Sequence, residues 1–169
     1  MKCTKCGQPA VINMRQHRLG LCAEHFLEWV PQVVQRTIEK YDMFTPDDRV
    51  LVAVSGGKDS LALWDILLTL GYRADGLYIG LGIDEGTGYS DASYACVRAF
   101  ADRHPDVTLH TVDVAAVYGA SIPEAARHFR RGKPCSTCGL SKRHIMNHVA
   151  GDEGYTVLAT GHNLDDEAA

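Results

Sequence analysis

Four groups of residues in this sequence are spaced for chemistry. The first is Ser55-Gly56-Gly57-Lys58-Asp59-Ser60, which follows a short apolar, β-branched run and opens a helical pattern. At a strand-to-helix junction the backbone N–H groups and the helix dipole converge on one spot, which suits a phosphate. Gly56 and Gly57 let the main chain come close to phosphate oxygens and adopt torsions closed to other residues. Lys58 adds a positive charge, and Ser55 and Ser60 add hydroxyl donors. The spacing is neither that of a Walker A loop nor that of a dinucleotide-binding G-x-G-x-x-G turn. A plain strand–turn–helix connection would explain the glycines but not the lysine, the aspartate and both serines together.

The second group is Cys3-x-x-Cys6 with Cys22-x-x-His25. Two close pairs separated by a loop can place three thiolates and one imidazole around a tetrahedral Zn²⁺. Four filled positions leave none for water, so the site reads as structural. His17 is an alternative fourth ligand. The third group, Cys135-Ser136-Thr137-Cys138, lies in a basic stretch at the start of a helical pattern, where a thiolate is stabilised. It fits half of a second zinc site, a redox dithiol that relays sulfur, or two ligands of an iron–sulfur cluster. Cys96 stands alone in a helical pattern and reads as a small buried apolar residue. The fourth group is Gly161-His162-Asn163-Leu164-Asp165-Asp166-Glu167. Its adjacent carboxylates could hold Mg²⁺ on pyrophosphate oxygens, or could simply be the acids that favour a helix N-terminus.

The elements that position these groups are legible from periodicity. Residues 1–25 are polar and short of core-forming side chains, so burial alone cannot hold them. An amphipathic helix is expected from Ala23 to Met43, kinked or broken at Pro31. Strands are expected at Arg49–Val54, Ala74–Leu81, Val107–Val112 and Thr156–Thr160, alternating with helices at Ser60–Leu70, Ser90–Arg103 and Cys138–Glu153. Such alternation means an α/β fold with a parallel sheet flanked by helices. The glycine-rich loop from Gly82 to Tyr89 is expected to be mobile. The resulting division is a zinc module over 1–25, a linking helix over 26–46 and a phosphate-binding domain over 47–169. The chain ends in what reads as a strand-to-helix loop and a first helical turn, as in a fragment of a longer protein.

Composition narrows the class. The 46% apolar content supports a real core, and the N-terminus has no apolar segment typical of a secretion signal. No apolar run is long enough for a membrane span, so a cytoplasmic location is expected, where six cysteines favour metal or redox chemistry over disulfides. The net charge is −4, yet Arg127 to Arg143 holds six Lys or Arg residues and no acid, leaving −10 on the remainder. That stretch is either a phosphate-contact surface or a solvated segment.

Taken in order, the N-terminal Cys/His module, Ser-Gly-Gly-Lys-Asp-Ser, Cys-Ser-Thr-Cys-Gly-Leu-Ser-Lys-Arg and Gly-His-Asn-Leu-Asp-Asp-Glu-Ala-Ala resemble the tRNA 2-thiolation enzymes of the TtcA/TtuA group, within the PP-loop ATP-pyrophosphatase superfamily. The N-terminal module resembles the TtuA branch, which makes 2-thioribothymidine in the T loop of tRNA. The resemblance implies a five-stranded parallel sheet like that of adenine-nucleotide α-hydrolases. It implies an ATP site at Ala53, Val54, Ser55 to Ser60, Gly161 and Asp165, with Mg²⁺. It matches Cys3, Cys6, Cys22 and His25 to zinc ligands, Cys135 and Cys138 to two of three cysteines of a [4Fe–4S] cluster, and Lys142 and Asp166 to residues required at the active site. The implied reaction is adenylation of the base's 2-oxygen, then displacement of AMP by sulfur. The implied partners are tRNA and a sulfur donor, either a thiocarboxylated ubiquitin-like protein or sulfide, with homodimerisation possible. Thiolation of another tRNA position, the wobble uridine or a cytidine, and an amide-forming ligase are the alternatives.

Overall fold

The structure is a computed structural model that describes residues 1–83, 89–128 and 134–163; at residues 89, 126, 128 and 134–137 it describes the backbone alone. It resolves into two compact units, Met1–Thr45 and Pro46–Ala169.

The first unit opens with a tight turn through Cys3 to Gly7. Gly7 takes φ +76°, and the turn is closed by Gly7 N–H to the Cys3 carbonyl (2.9 Å) and Cys3 N–H to the Gln8 carbonyl (2.7 Å). Strands β1 (Ile12–Met14) and β2 (Leu19–Leu21) then pair antiparallel, with Ile12 opposite Leu21 and Met14 opposite Leu19. Helix α1 (Ala23–Lys40) follows. Cys3, Met14 and Leu21 form a small buried cluster that Phe26 and Trp29 pack against. A core therefore exists here, although this cluster is limited to three buried side chains. The helix runs unbroken across Pro31. A proline removes the N–H that would reach the carbonyl four residues back. That residue is Leu27, 72% exposed, so water can take the orphaned oxygen.

The second unit is a parallel sheet with helices on both faces. Its described elements are β3 (Arg49–Ala53), α2 (Lys58–Thr69), β4 (Arg73–Gly80), α3 (Tyr89–Ala101), β5 (Leu109–Asp113), α4 (Val114–Tyr118), α5 (Ile122–His128), α6 (Pro134–Asp152) and β6 (Val157–Thr160). The strand order is β5-β4-β3-β6, every pair parallel, so four of the five strands implied by the resemblance are present among the described residues. Val50, Leu51 and Val52 of central β3 are all fully buried, as a strand covered on both faces requires. Alternation splits the sheet into two faces. Leu51 and Leu77 pack under Met146 and Val149 of α6, while Val114, Ile122 and Ile145 form a second cluster on that side.

On the opposite face Trp64 of α2 is fully buried. Its indole N–H donates to the Ala74 carbonyl at 2.9 Å, and its ring stacks tilted on Phe100 at 4.7 Å. The ring lies where a side chain at Gly76 would be, so the missing Cβ makes room for it. At the amino ends of the strands the Tyr155 hydroxyl donates to Asp75 (2.7 Å) and meets His110 (2.8 Å), and the Arg49 guanidinium lies 4.4 Å from the Tyr155 ring centroid. Burial, and the Asp75 carboxylate beside it, push the Tyr155 phenol well above its ordinary range. This polar cluster ties β3, β4, β5 and β6 together and leaves the opposite, carboxyl ends to the loops.

Replacing Trp64 by Ala should cost about 3–5 kcal/mol, the usual penalty for emptying a large aromatic site. Urea unfolding would show it as a lowered midpoint at unchanged slope; a loss below about 1 kcal/mol would contradict the packing described.

Candidate functional site

The four N-terminal ligand candidates converge. Cys3 and Cys6 are carried by the tight turn, Cys22 caps α1, and His25 lies on the first turn of that helix. The ligand atoms of Cys3, Cys6, Cys22 and His25 all lie within 4.8 Å of one another. Cys22 Sγ is 3.2 Å and Cys3 Sγ 3.6 Å from His25 Nδ1, and Cys6 Sγ is 3.8 Å from Cys22 Sγ. A tetrahedron with metal–sulfur bonds of about 2.3 Å has sulfur–sulfur edges of roughly 3.8 Å, so these residues fit a bound metal of that geometry. Burial raises the Cys3 thiol, but the N–H groups of Cys22, Cys6 and Lys5 outweigh it and hold Cys3 at about 6. The Gln8 N–H lowers Cys6, yet burial and the neighbouring Cys3 and Cys22 push it up overall. A cation among them would relieve that repulsion. His17 is not in the group; its ring sits edge-on to Trp29 at 5.3 Å.

In the second unit a cleft of about 1020 Å³ opens at the carboxyl ends of the strands. Chain order reverses there: β4 and β5 lie to one side of β3 and β6 to the other. Doubly wound sheets place ligands at such a switch point. Ala53, Val54, Ser55, Gly57, Asp59 and Ser60 line one wall and Gly161 borders it. Helix α2 begins at Lys58, two residues earlier than periodicity suggests, so the N-terminus of α2 opens directly on the cleft. Gly56 takes φ +79°, and a Cβ there would strike the Ser93 carbonyl. A Cβ at Gly161 would sit 2.9 Å from Ser60 Cα. Both glycines thus permit close backbone contacts that other residues forbid.

Ser60 does something other than wait for a ligand. Its hydroxyl accepts from the Ser55 N–H (3.1 Å) and donates to the Gly57 carbonyl (3.1 Å), clasping the loop shut. Lys58 is 88% exposed with Nζ 2.9 Å from Asp59 Oδ2, and its side chain does not line the cleft. Lys142 does, on a stripe of α6 with Gly139, Arg143 and Met146. Leu77, Ile79, Met146 and Leu158 supply an apolar wall. His162, not singled out from sequence, also lines the cleft, with Nδ1 3.3 Å from Thr160 Oγ1.

Helix α6 starts at Pro134, so Cys135 and Cys138 lie within its first turns instead of ahead of it. Cys138 packs at the edge of the Val114–Ile122–Ile145 cluster and precedes Lys142 by one turn. The Cys135 side chain lies outside the described residues, as do Asp165, Asp166, the stretch 129–133 and the loop 84–88. Cys96 is exposed, not buried.

A parallel sheet whose switch point carries a glycine loop and a helix N-terminus defines a nucleotide-binding α/β domain. The PP-loop domain family matches residues 30–169, and the chain belongs to it. The N-terminal LIM domain of 2-thiouridine synthetase TtuA matches residues 2–27. The chain is 54% identical over 169 residues to the tRNA-5-methyluridine(54) 2-sulfurtransferase of Thermus thermophilus, covering all of this chain and 51% of that protein. It is 46% identical to the enzyme of the same name from Pyrococcus horikoshii, covering 52% of it. The chain spans about half the length of the curated relatives it matches. The U34-tRNA thiolase NcsA from Methanococcus maripaludis with its [4Fe-4S] cluster superposes with a TM-score of 0.78 at 28% identity, over 98% of this chain and 55% of that one. No helix among the described residues is long and apolar enough to cross a membrane.

Elemental analysis of the purified protein should find a metal ion held by the N-terminal group. Cys22→Ser should release it and open residues 1–45 to protease, with the second unit still folded. Wild-type protein free of metal at this group would contradict the fit.

Proposed function

We propose that this chain carries the nucleotide-activating site of a tRNA 2-thiolation enzyme, acting on the 2-oxygen of a 5-methyluridine. The observation that carries it is the meeting of the Gly56–Gly57 loop, the α2 N-terminus, Lys142 and Gly161 in one cleft at the switch point of the sheet. ATP is the substrate that fits: a triphosphate against the loop and helix N-terminus, adenine against the apolar wall of Leu77, Ile79 and Leu158.

In this reading the base oxygen attacks the α-phosphate, a new O–P bond forms, and pyrophosphate leaves. Lys142 from α6 offsets the charge that develops. Lys58 reaches the phosphates by leaving Asp59. Asp165 and Asp166 hold Mg²⁺, and Asp166 also serves the chemistry. Adenylation makes the oxygen a good leaving group, so sulfur displaces AMP at the ring carbon. Cys135 and Cys138 would hold two positions of a [4Fe–4S] cluster, which when bound would supply an iron site for sulfur. Its neighbourhood is apt, since Cys138 sits one turn from Lys142 on the helix that walls the cleft. Of the three cysteine ligands that the resemblance implies, this sequence matches two, Cys135 and Cys138.

Cys3, Cys6, Cys22 and His25 hold structural Zn²⁺, which gives Met1–Thr45 stability its small core does not supply. The basic residues from Arg127 to Arg143 meet tRNA phosphates. The sulfur donor is a thiocarboxylated ubiquitin-like protein or sulfide, and the enzyme works in the cytoplasm. A second reading, thiolation of the wobble uridine, has the likeness to the U34-tRNA thiolase in its favour. The higher identity to the 5-methyluridine enzymes favours the first.

Lys58→Ala should reduce tRNA-dependent AMP release by about 10²-fold or more while leaving the fold intact. Undiminished release would sink the assignment of the loop to ATP phosphates. In protein reconstituted without oxygen, Cys135→Ala or Cys138→Ala should abolish iron binding and thiolation but leave AMP release in place. Full thiolation in either variant would rule out their role as cluster ligands.

A further inference from the structure

Arg143 ends the basic stretch that begins at Arg127 and has no role of its own in the resemblance, yet it lines the same cleft as Lys142. Gly139, Lys142, Arg143 and Met146 fall at spacings of three and four on α6, so they form one stripe that walls the cleft. The guanidinium folds back along that stripe. Its Nη2 lies 3.6 Å from where a Cβ at Gly139 would stand, and the bare glycine leaves that part of the helix surface to it. Arg143 forms no ion pair among the described residues. Asp59, the described carboxylate of the cleft, is already engaged by Lys58. A surface arginine that points to solvent needs no anion. This one is turned into a concave site that also takes the N-terminus of α2 and, from α3, Ser90 and Ser93. Among the described residues the site therefore has donors and positive charge in excess of its acids.

We propose that Arg143 is a phosphate clamp, its planar fork holding two oxygens of one phosphate group inside the cleft. The proposal rests on reading the cleft as a phosphate site and deepens it. Guanidinium is suited to this where ammonium is not, because it pairs bidentately and stays charged at any working pH. Lys142 is a point charge on the same wall and cannot substitute for the fork. The phosphate has two sources of one chemistry: the α–γ chain of a nucleotide, or a phosphodiester of the RNA that brings the target base to the cleft.

The test uses full-length wild-type protein with Arg143→Ala and Arg143→Lys, and measures equilibrium binding of ATP and of tRNA at several salt concentrations. Arg143→Ala should weaken one of the two by about tenfold or more, as loss of a charge-assisted pair does, with the thermal midpoint unchanged. Arg143→Lys should recover only part of the affinity. A loss confined to ATP names the nucleotide as the source. A loss confined to tRNA, with the salt slope reduced by about one, names the RNA. If Arg143→Ala binds both within about twofold of wild type, or if wild type binds neither, the clamp does not exist. Wild-type protein that binds ATP and tRNA but releases no AMP would overturn the thiolation reading and leave the binding comparison, and hence the clamp, standing.

Discussion

The site depends on three stretches of main chain meeting with no side chain between them. Gly56 lies against the backbone of Ser93 in α3, and Gly161 lies against Ser60 at the start of α2. The Ser60 hydroxyl, 7% exposed, closes the loop from within by bridging the Ser55 N–H and the Gly57 carbonyl. Any side chain at either glycine would push α3 or the end of β6 outward and widen the switch point. The polar cluster of Tyr155, Asp75, His110 and Arg49 has the complementary task at the other end of the sheet. It fixes the strands where no ligand binds, so that the carboxyl ends are free to be loops.

The electrostatics of the cleft follow from that framework. A helix N-terminus cannot be brought to the cleft without its orphan N–H groups, and these favour an anion. Lys142 and Arg143 add charge from the opposite wall, while the exposed Lys58 is held by Asp59 until something competes for it. An ion pair this exposed is weak, so a triphosphate with several oxygens would displace Asp59 at little cost. The N-terminal unit solves a different problem. It has a buried cluster of three residues, and its four ligand atoms are placed where a bound metal would supply by coordination what a small core lacks.

Much of this was legible in the sequence because a few constraints are local. Only glycine tolerates the torsion at Gly56 and the contact at Gly161, and continuous apolar runs such as Val50–Val52 mark strands buried on both faces. Paired Cys/His spacing marked a four-ligand group that the structure then closes to within 4.8 Å. What escaped has physical reasons. Strands β1 and β2 have three residues each, too few for a period, and α4 and α5 are barely longer. Helix α6 begins at Pro134, a residue that suits a first helical position, whereas counting apolar spacing starts the helix later at Cys138. Nor could spacing reveal that the Ser60 hydroxyl turns back on the Gly57 carbonyl or that the Arg143 guanidinium lies beside Gly139, because residue order does not fix a side chain's rotamer.

On the proposed reading, the base's own oxygen attacks ATP in this cleft and departs on AMP. This is tested most directly by supplying tRNA whose target 2-oxygen is heavy oxygen, with ATP and a sulfur donor, and weighing the AMP released. The account predicts one heavy oxygen in every AMP formed for each base thiolated. Thiolated tRNA accompanied by AMP of ordinary mass would contradict it, because the oxygen would then have left by a route that never joined it to the nucleotide.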